Sequence, residues 1–291
     1  TELIDGFSAA GKKITLIVPE QFSFMSEKTM LGRMGAERFA GIDVLSFTSL
    51  AEKLVGKPAF HERRRLDEPA KAALMSFALE AVKDKLNLYS EHTERSSVIE
   101  EFVSLASEFK QSAVPPEQLA LAAAEMEDCL LKSKLADISL TLEAYNALVG
   151  SSYFDPDDLL GELNELLPES DYFADRLVFI DGFRGFTAQE HKVIEHMLRR
   201  SPAVYVTLCT EDLSNMGDET DLFAHTKRTA AKLIESAKRN SVAVAKPQYL
   251  SKRSKFNNFP PHFRRYAAPE LAALEQELFS PAPNVYEDDC D

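Results

Sequence analysis

The sequence has no tryptophan, and it holds only three cysteines in 291 residues. Cys129, Cys209 and Cys290 stand far apart, without a CxxC pair or histidines at ligand spacing. That excludes a recognisable zinc or disulfide framework and suits a reducing cytoplasm. No apolar run approaches the roughly 20 residues of a membrane span. No basic-then-apolar leader opens the sequence, so a soluble chain without membrane contact is expected. Internal repeats and low-complexity tracts are missing. Positive charge is the scarcer sign: 33 lysines and arginines stand against 47 acids, for a formal charge of −14. Such a chain is not built to wrap nucleic acid over its whole surface, although a local basic groove is compatible with it. His61, His191 and His196 show no pairing that suggests a metal.

Apolar residues make up 45% of the chain, ample for one large domain or two ordinary ones. Residues 1–61 read as helix, strand, helix, strand, helix. The strands are Ile14 to Val18, ended by Pro19, and a short one within Gly41 to Leu50. Ser26 to Phe39 are expected as one helix, and Thr48 or Ser49 as the cap of the helix running to Val55. From about residue 62 to 150 strand-like runs give way to amphipathic helices over Pro69 to Lys85, Ser96 to Ser112, Pro116 to Met126 and Asp128 to Leu148. Asp155-Pro156-Asp157-Asp158 opens a further helix with a cap and acids in its first turn. Alternation resumes over 151–291, with strands at Leu177 to Ile180 and Ala203 to Cys209, helices over Ala188 to Arg200 and Leu222 to Asn240, and a last strand opening at Val242-Ala243-Val244. The expected architecture is therefore an α/β parallel sheet carrying a helical insertion subdomain. Beyond it lie a basic and aromatic segment, Lys252 to Tyr266, and a short helix over Ala268 to Phe279.

The sheet organises itself around Leu177-Val178-Phe179-Ile180-Asp181-Gly182. Four apolar residues form a buried parallel strand that ends on an acid, in the place where α/β sheets keep their ligands. Asp181 reads either as a turn or capping acid or as the metal-holding acid of a nucleotide site. In nucleotide-hydrolysing helicases a glutamate follows that acid and activates water; here Gly182 follows, so the pair is a nucleotide-site remnant. The loop Gln21, Phe22, Ser23 leaves the Ile14 to Val18 strand, and Phe47 with Thr48 leaves the next. Gln and Ser suit base edges or phosphates, and an aromatic can stack a base; equally, Phe22 and Phe47 suit a core beside a sheet. Arg63-Arg64-Arg65 reads as a phosphate contact or as a solvated face.

Superfamily 1 helicases carry Asp-Glu-Phe-Gln-Asp, followed a few residues on by Gln. Asp181 and Phe183 keep their places in that frame, whereas Gly182, Arg184 and Gly185 replace its hydrolytic and polar members. With Val18-Pro19-Glu20-Gln21, Val44-Leu45-Ser46-Phe47-Thr48, and Ile180-Asp181-Gly182-Phe183 followed by Phe186-Thr187-Ala188-Gln189-Glu190, the chain resembles the amino-terminal helicase-like region of the AddB/RexB family. Lys134 to Tyr145 and Glu270-Leu271 to Leu274-Glu275 add to the likeness. The resemblance implies a P-loop NTPase (RecA-like) fold in a piece of a longer subunit, whose phosphate loop would sit just before Thr1. It implies a bacterial ATP-dependent helicase-nuclease that resects double-strand breaks, an AddA/RexA-type helicase-nuclease subunit as partner, and DNA as substrate. ATP with magnesium and an iron–sulfur cluster are implied for the full-length subunit, and neither for this stretch, to which no catalytic or metal-ligating residue is assigned. DNA contact is expected at Gln21, Ser23, Phe47 and Thr48, in the region that reads the recombination hotspot Chi in the family. Where many members carry an arginine and a tryptophan, this sequence has Ser49 and Glu52.

Overall fold

The computed structural model describes residues 2–56, 63–150, 152–210, 213, 216, 217, 219 and 221–248. The chain divides into two compact units, Thr1–Val242 and Ala243–Asp291. In the second unit the described residues, 243–248, form neither helix nor strand. The strand expected to open at Val242 is therefore not formed. Its β-branched residues are exposed or half-buried and have no neighbouring strand to pair with among the described residues. The basic and aromatic segment from Lys252 to Tyr266 and the helix expected over Ala268 to Phe279 lie outside the described residues.

In the first unit, α1 (Glu2–Ala9) leads into β1 (Lys13–Ile17). A single 3-10 turn and α2 (Ser23–Met34) follow, then the one-turn α3 (Ala36–Phe39), β2 (Ile42–Leu45) and α4 (Phe47–Val55). The helix expected as one piece over 26–39 is two, because Gly35 takes φ +78° and ψ 163°, outside helical geometry. The α4 cap is Ser46, earlier than expected. Its hydroxyl accepts from the Ser49 amide at 3.0 Å, and the Ser49 hydroxyl accepts from the Ser46 amide at 3.4 Å, closing a reciprocal box. Ser46→Ala is expected to lower stability by about 1 kcal/mol in thermal denaturation.

β5 (Arg176–Ile180) and β6 (Val204–Val206) complete a four-stranded sheet in the order β2-β1-β5-β6. All its pairs are parallel, and Leu16 faces Phe179 while Ile17 faces Ile180. Alternation between two covered faces explains why the interior of both central strands is apolar but for the buried Thr15. Ile14, Leu16, Leu177 and Phe179 pack on one face with Ile4, Met30 and Met34. Ile17, Val178 and Ile180 pack on the other with Phe47, Leu50, Leu163, Val193 and Met197. That second layer is α4, α9 (Leu159–Leu166) and α10 (Ala188–Arg200).

Between α4 and α9 the chain builds a separate core. It is made by α5 (Glu68–Val82), α6 (Ser96–Gln111), α7 (Pro116–Glu125) and α8 (Leu130–Val149) around Met75, Leu79, Phe102, Leu142 and Tyr145. The chain leaves through β3 (Arg64–Arg65) and returns through β4 (Tyr153–Phe154), which pair in parallel as a small second sheet. Where the helices meet the return strand, Asp155 is only 2% exposed and sits between two lysines. Lys110 Nζ reaches one oxygen at 2.7 Å, Lys71 Nζ the other at 3.2 Å, and Lys71 also holds Asp157 at 2.7 Å. The Ser107 hydroxyl donates to Asp157 and the Tyr145 hydroxyl to Asp155. Burial opposes the charge on Asp155, but the Lys110 ammonium, the Asp157 amide and Lys71 hold its carboxyl below the ordinary carboxylate range. The last helix of the unit is α11 (Ala224–Arg239).

Candidate functional site

Parallel strands deliver their carboxyl ends to one edge of the sheet, and the loops after β1, β2, β5 and β6 carry the candidate residues there. The backbone extends the ladder one residue past β5, since the Asp181 amide donates to the Ile17 carbonyl at 2.9 Å. Asp181 is exposed, and one of its carboxylate oxygens accepts a hydrogen bond from the Thr207 hydroxyl just beyond β6. Gly182 follows at φ +85°, a left-handed conformation that side-chain-bearing residues rarely adopt. A Cβ there would lie 3.3 Å from Cδ of Pro19. The glycine is thus required by the path of the chain as well as marking a missing carboxylate.

Beside this pair lies a hollow of about 250 Å³. Leu16, Val18, Pro19, Phe22, Met25 and Met30 supply most of its walls, and Asp181 is the charged residue among them. A triphosphate needs cations or converging amides. One carboxylate in an apolar wall repels it, so these residues do not fit a nucleotide's phosphates. For a cluster, Cys129 and Cys209 are exposed. Among the described residues no group of three or more histidines, cysteines or acids could hold a metal ion. No helix among them is long and apolar enough to cross a membrane.

Gln21 is exposed on the turn after β1. Ser23 is half-buried and donates its hydroxyl to the Glu20 carbonyl at 2.8 Å, which fixes the turn while leaving its lone pairs free to accept. Thr48 is half-buried in the first turn of α4. Phe47 lies elsewhere than a stacking platform would: it is 3% exposed, with ring centroids of Phe183 and Phe186 at 5.5 and 6.1 Å. In this conformation Phe47 has no open face, and its place is in the core. The rings of this loop that stand in solvent are Phe22, at 48%, and Phe24, at 73%, with Met25 beside them at 59%. Phe24 carried no signal in the sequence, because its exposure depends on which way the helix after the turn faces.

The arginine run after residue 62 also resolves into separate roles. Arg63 pairs with Glu162 at 2.7 Å and lies over the Phe154 ring, while Arg65 reaches Glu52 at 4.0 Å. Glu52 is thus a partner of the second sheet's entry strand. His191 packs edge-on to Phe186 at 5.6 Å, and burial followed by the Lys232 charge lowers its proton affinity. His61 lies outside the described residues.

The family described as ADDB, N-terminal, matches residues 6–275. A protein of Clostridium acetobutylicum, named as a subunit of an ATP-dependent helicase/deoxyribonuclease, is 30% identical over 275 residues, 94% of this chain and 23% of that protein. Proteins of the same name from Caldanaerobacter subterraneus subsp. tengcongensis and Clostridium tetani are each 32% identical, over 280 and 282 residues. They cover 96% and 95% of this chain, and 24% of each relative. The chain spans about a quarter of the length of the curated relatives it matches.

Proposed function

The chain belongs to the family of AddB amino-terminal regions, and from that premise we propose that it is a helicase-like scaffold, deficient in hydrolysis, that guides single-stranded DNA within a bacterial helicase-nuclease. In this reading residues 1–61 are the first part of a RecA-like base of the P-loop NTPase class, 62–150 are a helical insertion subdomain with its own core, and 151–291 are the second part of the base with a basic and aromatic tail. The machine works in the cytoplasm on double-strand breaks, with an AddA/RexA-type subunit as partner and a response to Chi. The relatives' name, a helicase/deoxyribonuclease subunit, supports the setting.

The observation that carries the reading is the carboxyl edge of the sheet. Gln21, Phe22 and Phe24 stand exposed on the turn after β1 and the start of α2, and Phe22 lines the same hollow as an acid whose neighbour is a left-handed glycine instead of a carboxylate. Two open aromatics flanking a polar turn suit a strand of bases, each stacked base contributing about 1–3 kcal/mol. Among the described residues the adjoining hollow is lined by no cation, which suits guiding better than hydrolysis.

In the assembled complex, Gln21→Ala with Phe22→Ala and Phe24→Ala is expected to weaken single-strand crosslinking at least tenfold and to alter products on hotspot DNA. ATP hydrolysis by the partner and subunit association should be unchanged. Phe47→Leu, which keeps the core filled, should leave crosslinking as it is. Wild-type crosslinking and product pattern in the triple variant would overturn the reading. Lost association with unchanged crosslinking would assign the same aromatics to a protein interface.

A further inference from the structure

Two adjoining helices run against the acidic balance of the chain. α10 carries three lysines and arginines against two glutamates, and α11 five against one, in a chain of formal charge −14. Glu195 pins them together: its carboxylate accepts from Ser236 Oγ at 3.0 Å, from Arg239 at 3.0 Å and from Arg199 at 3.4 Å. Both guanidiniums nevertheless remain about half exposed or more, at 48% for Arg199 and 64% for Arg239. Lys192 and Lys232 are exposed, and neither makes an ion pair among the described residues. Among the described residues Arg228 pairs with the exposed Glu219, at 3.5 Å.

Helical steps of three and four set Lys192, His196 and Arg199 in one row on α10, and Arg228 and Lys232 in another on α11. The first row also lines part of a crevice of about 750 Å³ whose other walls are mixed, with the acids Asp158, Glu165 and Glu195 and apolar residues such as Phe109 and Val114, so the crevice itself is no cationic channel. Burial first, and then the neighbouring Lys232 and Arg239 for His191 and Arg199 and Arg200 for His196, lowers both imidazoles, with Glu195 opposing in each case. A positive local field within an acidic protein agrees with that direction. No large apolar side chain on α10 or α11 is exposed among the described residues. A protein interface draws its energy from buried aromatic and aliphatic anchors, and the outward faces of these two helices have none to offer. Fixed cations repeating along two helices suit a polyanion instead.

We propose that the cationic rows of α10 and α11 form a second DNA track, which takes the phosphodiester backbone and reads no bases. The proposal rests on the reading of the chain as a DNA guide, and it adds a contact surface separate from the Gln21 loop. Its signature is salt: each phosphate neutralised contributes about 0.7–0.9 to the slope of log affinity against log salt.

The test compares the assembled complex with and without Lys192→Gln, Arg228→Gln and Lys232→Gln, by titrating fluorescently labelled forked DNA from low to high salt. The slope is expected to fall by about 2, equally for unrelated DNA sequences. The Lys192→Arg and Lys232→Arg pair should restore it. Unchanged slope and affinity in the glutamine variant, with the Gln21, Phe22 and Phe24 variant impaired, would remove the track and leave the guide reading standing. If neither variant altered DNA affinity, the guide reading would fall as well. Lost subunit association with an unchanged slope would assign the row to an acidic protein partner, and so overturn the proposal.

Discussion

Asp155→Ala is expected to cost about 3–5 kcal/mol of folding stability, the usual effect of removing one member of a buried charged pair. The carboxylate is 2% exposed, and its removal leaves Lys71, whose side chain is 6% exposed, and Lys110, at 15%, facing the same space with one acid fewer. Asp157 and Asp158 keep part of the compensation, at 2.7 Å from Lys71 and 2.8 Å from Lys110. Because the members act together, Lys71→Met should cost much less in the Asp155→Ala background than in the wild type. Urea denaturation of the four proteins of this cycle measures both statements; additive costs would show that the pairs are independent.

The same carboxylate sets an acid limb. Asp155 and Asp43 are both held below their ordinary range: in Asp43 burial opposes the charge, while hydrogen bonds from Lys53 and Tyr172 and the Arg176 guanidinium outweigh it. A lowered folded value contributes stability that is complete above the unfolded value, about 3.9, and is lost as pH falls through the folded one. Asp158 is shifted upward, burial being the main cause, and so works in the opposite sense. Unfolding free energy should therefore fall below about pH 4, and less steeply in Asp155→Ala than in the wild type.

Gly182→Glu is expected to fail twice. The left-handed backbone and the contact with Pro19 at 3.3 Å should destabilise the protein by about 1–3 kcal/mol. The substitution should also leave ATP hydrolysis at the buffer blank, with or without DNA. A glutamate after Asp181 supplies a general base, but the adjoining hollow brings no cation to a phosphate, and phosphoryl transfer rests on positioning and charge stabilisation. Gly182→Ala separates the two effects, since it carries the backbone cost without the charge. A Gly182→Glu protein as stable as the wild type, or one releasing phosphate on DNA, would contradict this account of the strand end.

Much of this architecture is written locally. Runs such as Ile14 to Ile17 and Leu177 to Ile180 read as doubly covered parallel strands, because both alternating faces must be apolar when helices lie on each side. The α10 boundaries follow from Thr187 and Glu190, three residues apart, whose mutual hydrogen bonds at 2.7 and 3.2 Å close a capping box. The helical stretch from 68 to 149 was legible in its apolar steps of three and four. In each case the deciding contacts lie within one turn or one strand, where residue order sets the geometry.

What the tertiary structure decided depends on residues far apart in the chain. Asp157 meets Lys71 across 86 positions, so neither periodicity nor capping rules announce that an Asp-Pro-Asp-Asp turn is the charged joint beneath a helical module. Phe47 and Phe22 are both aromatics just beyond strand ends. One is buried because Phe183 and Phe186 return to cover it, and the other stands open because nothing among the described residues does. Gly182 is legible in the sequence as a missing glutamate, but its left-handed turn against Pro19 exists only once β1 and β5 lie side by side. Residue types named the chemistry available at the sheet's edge; the packing of distant segments determined which side chains can reach a ligand there, because burial is a property of the assembled layers and not of any one stretch.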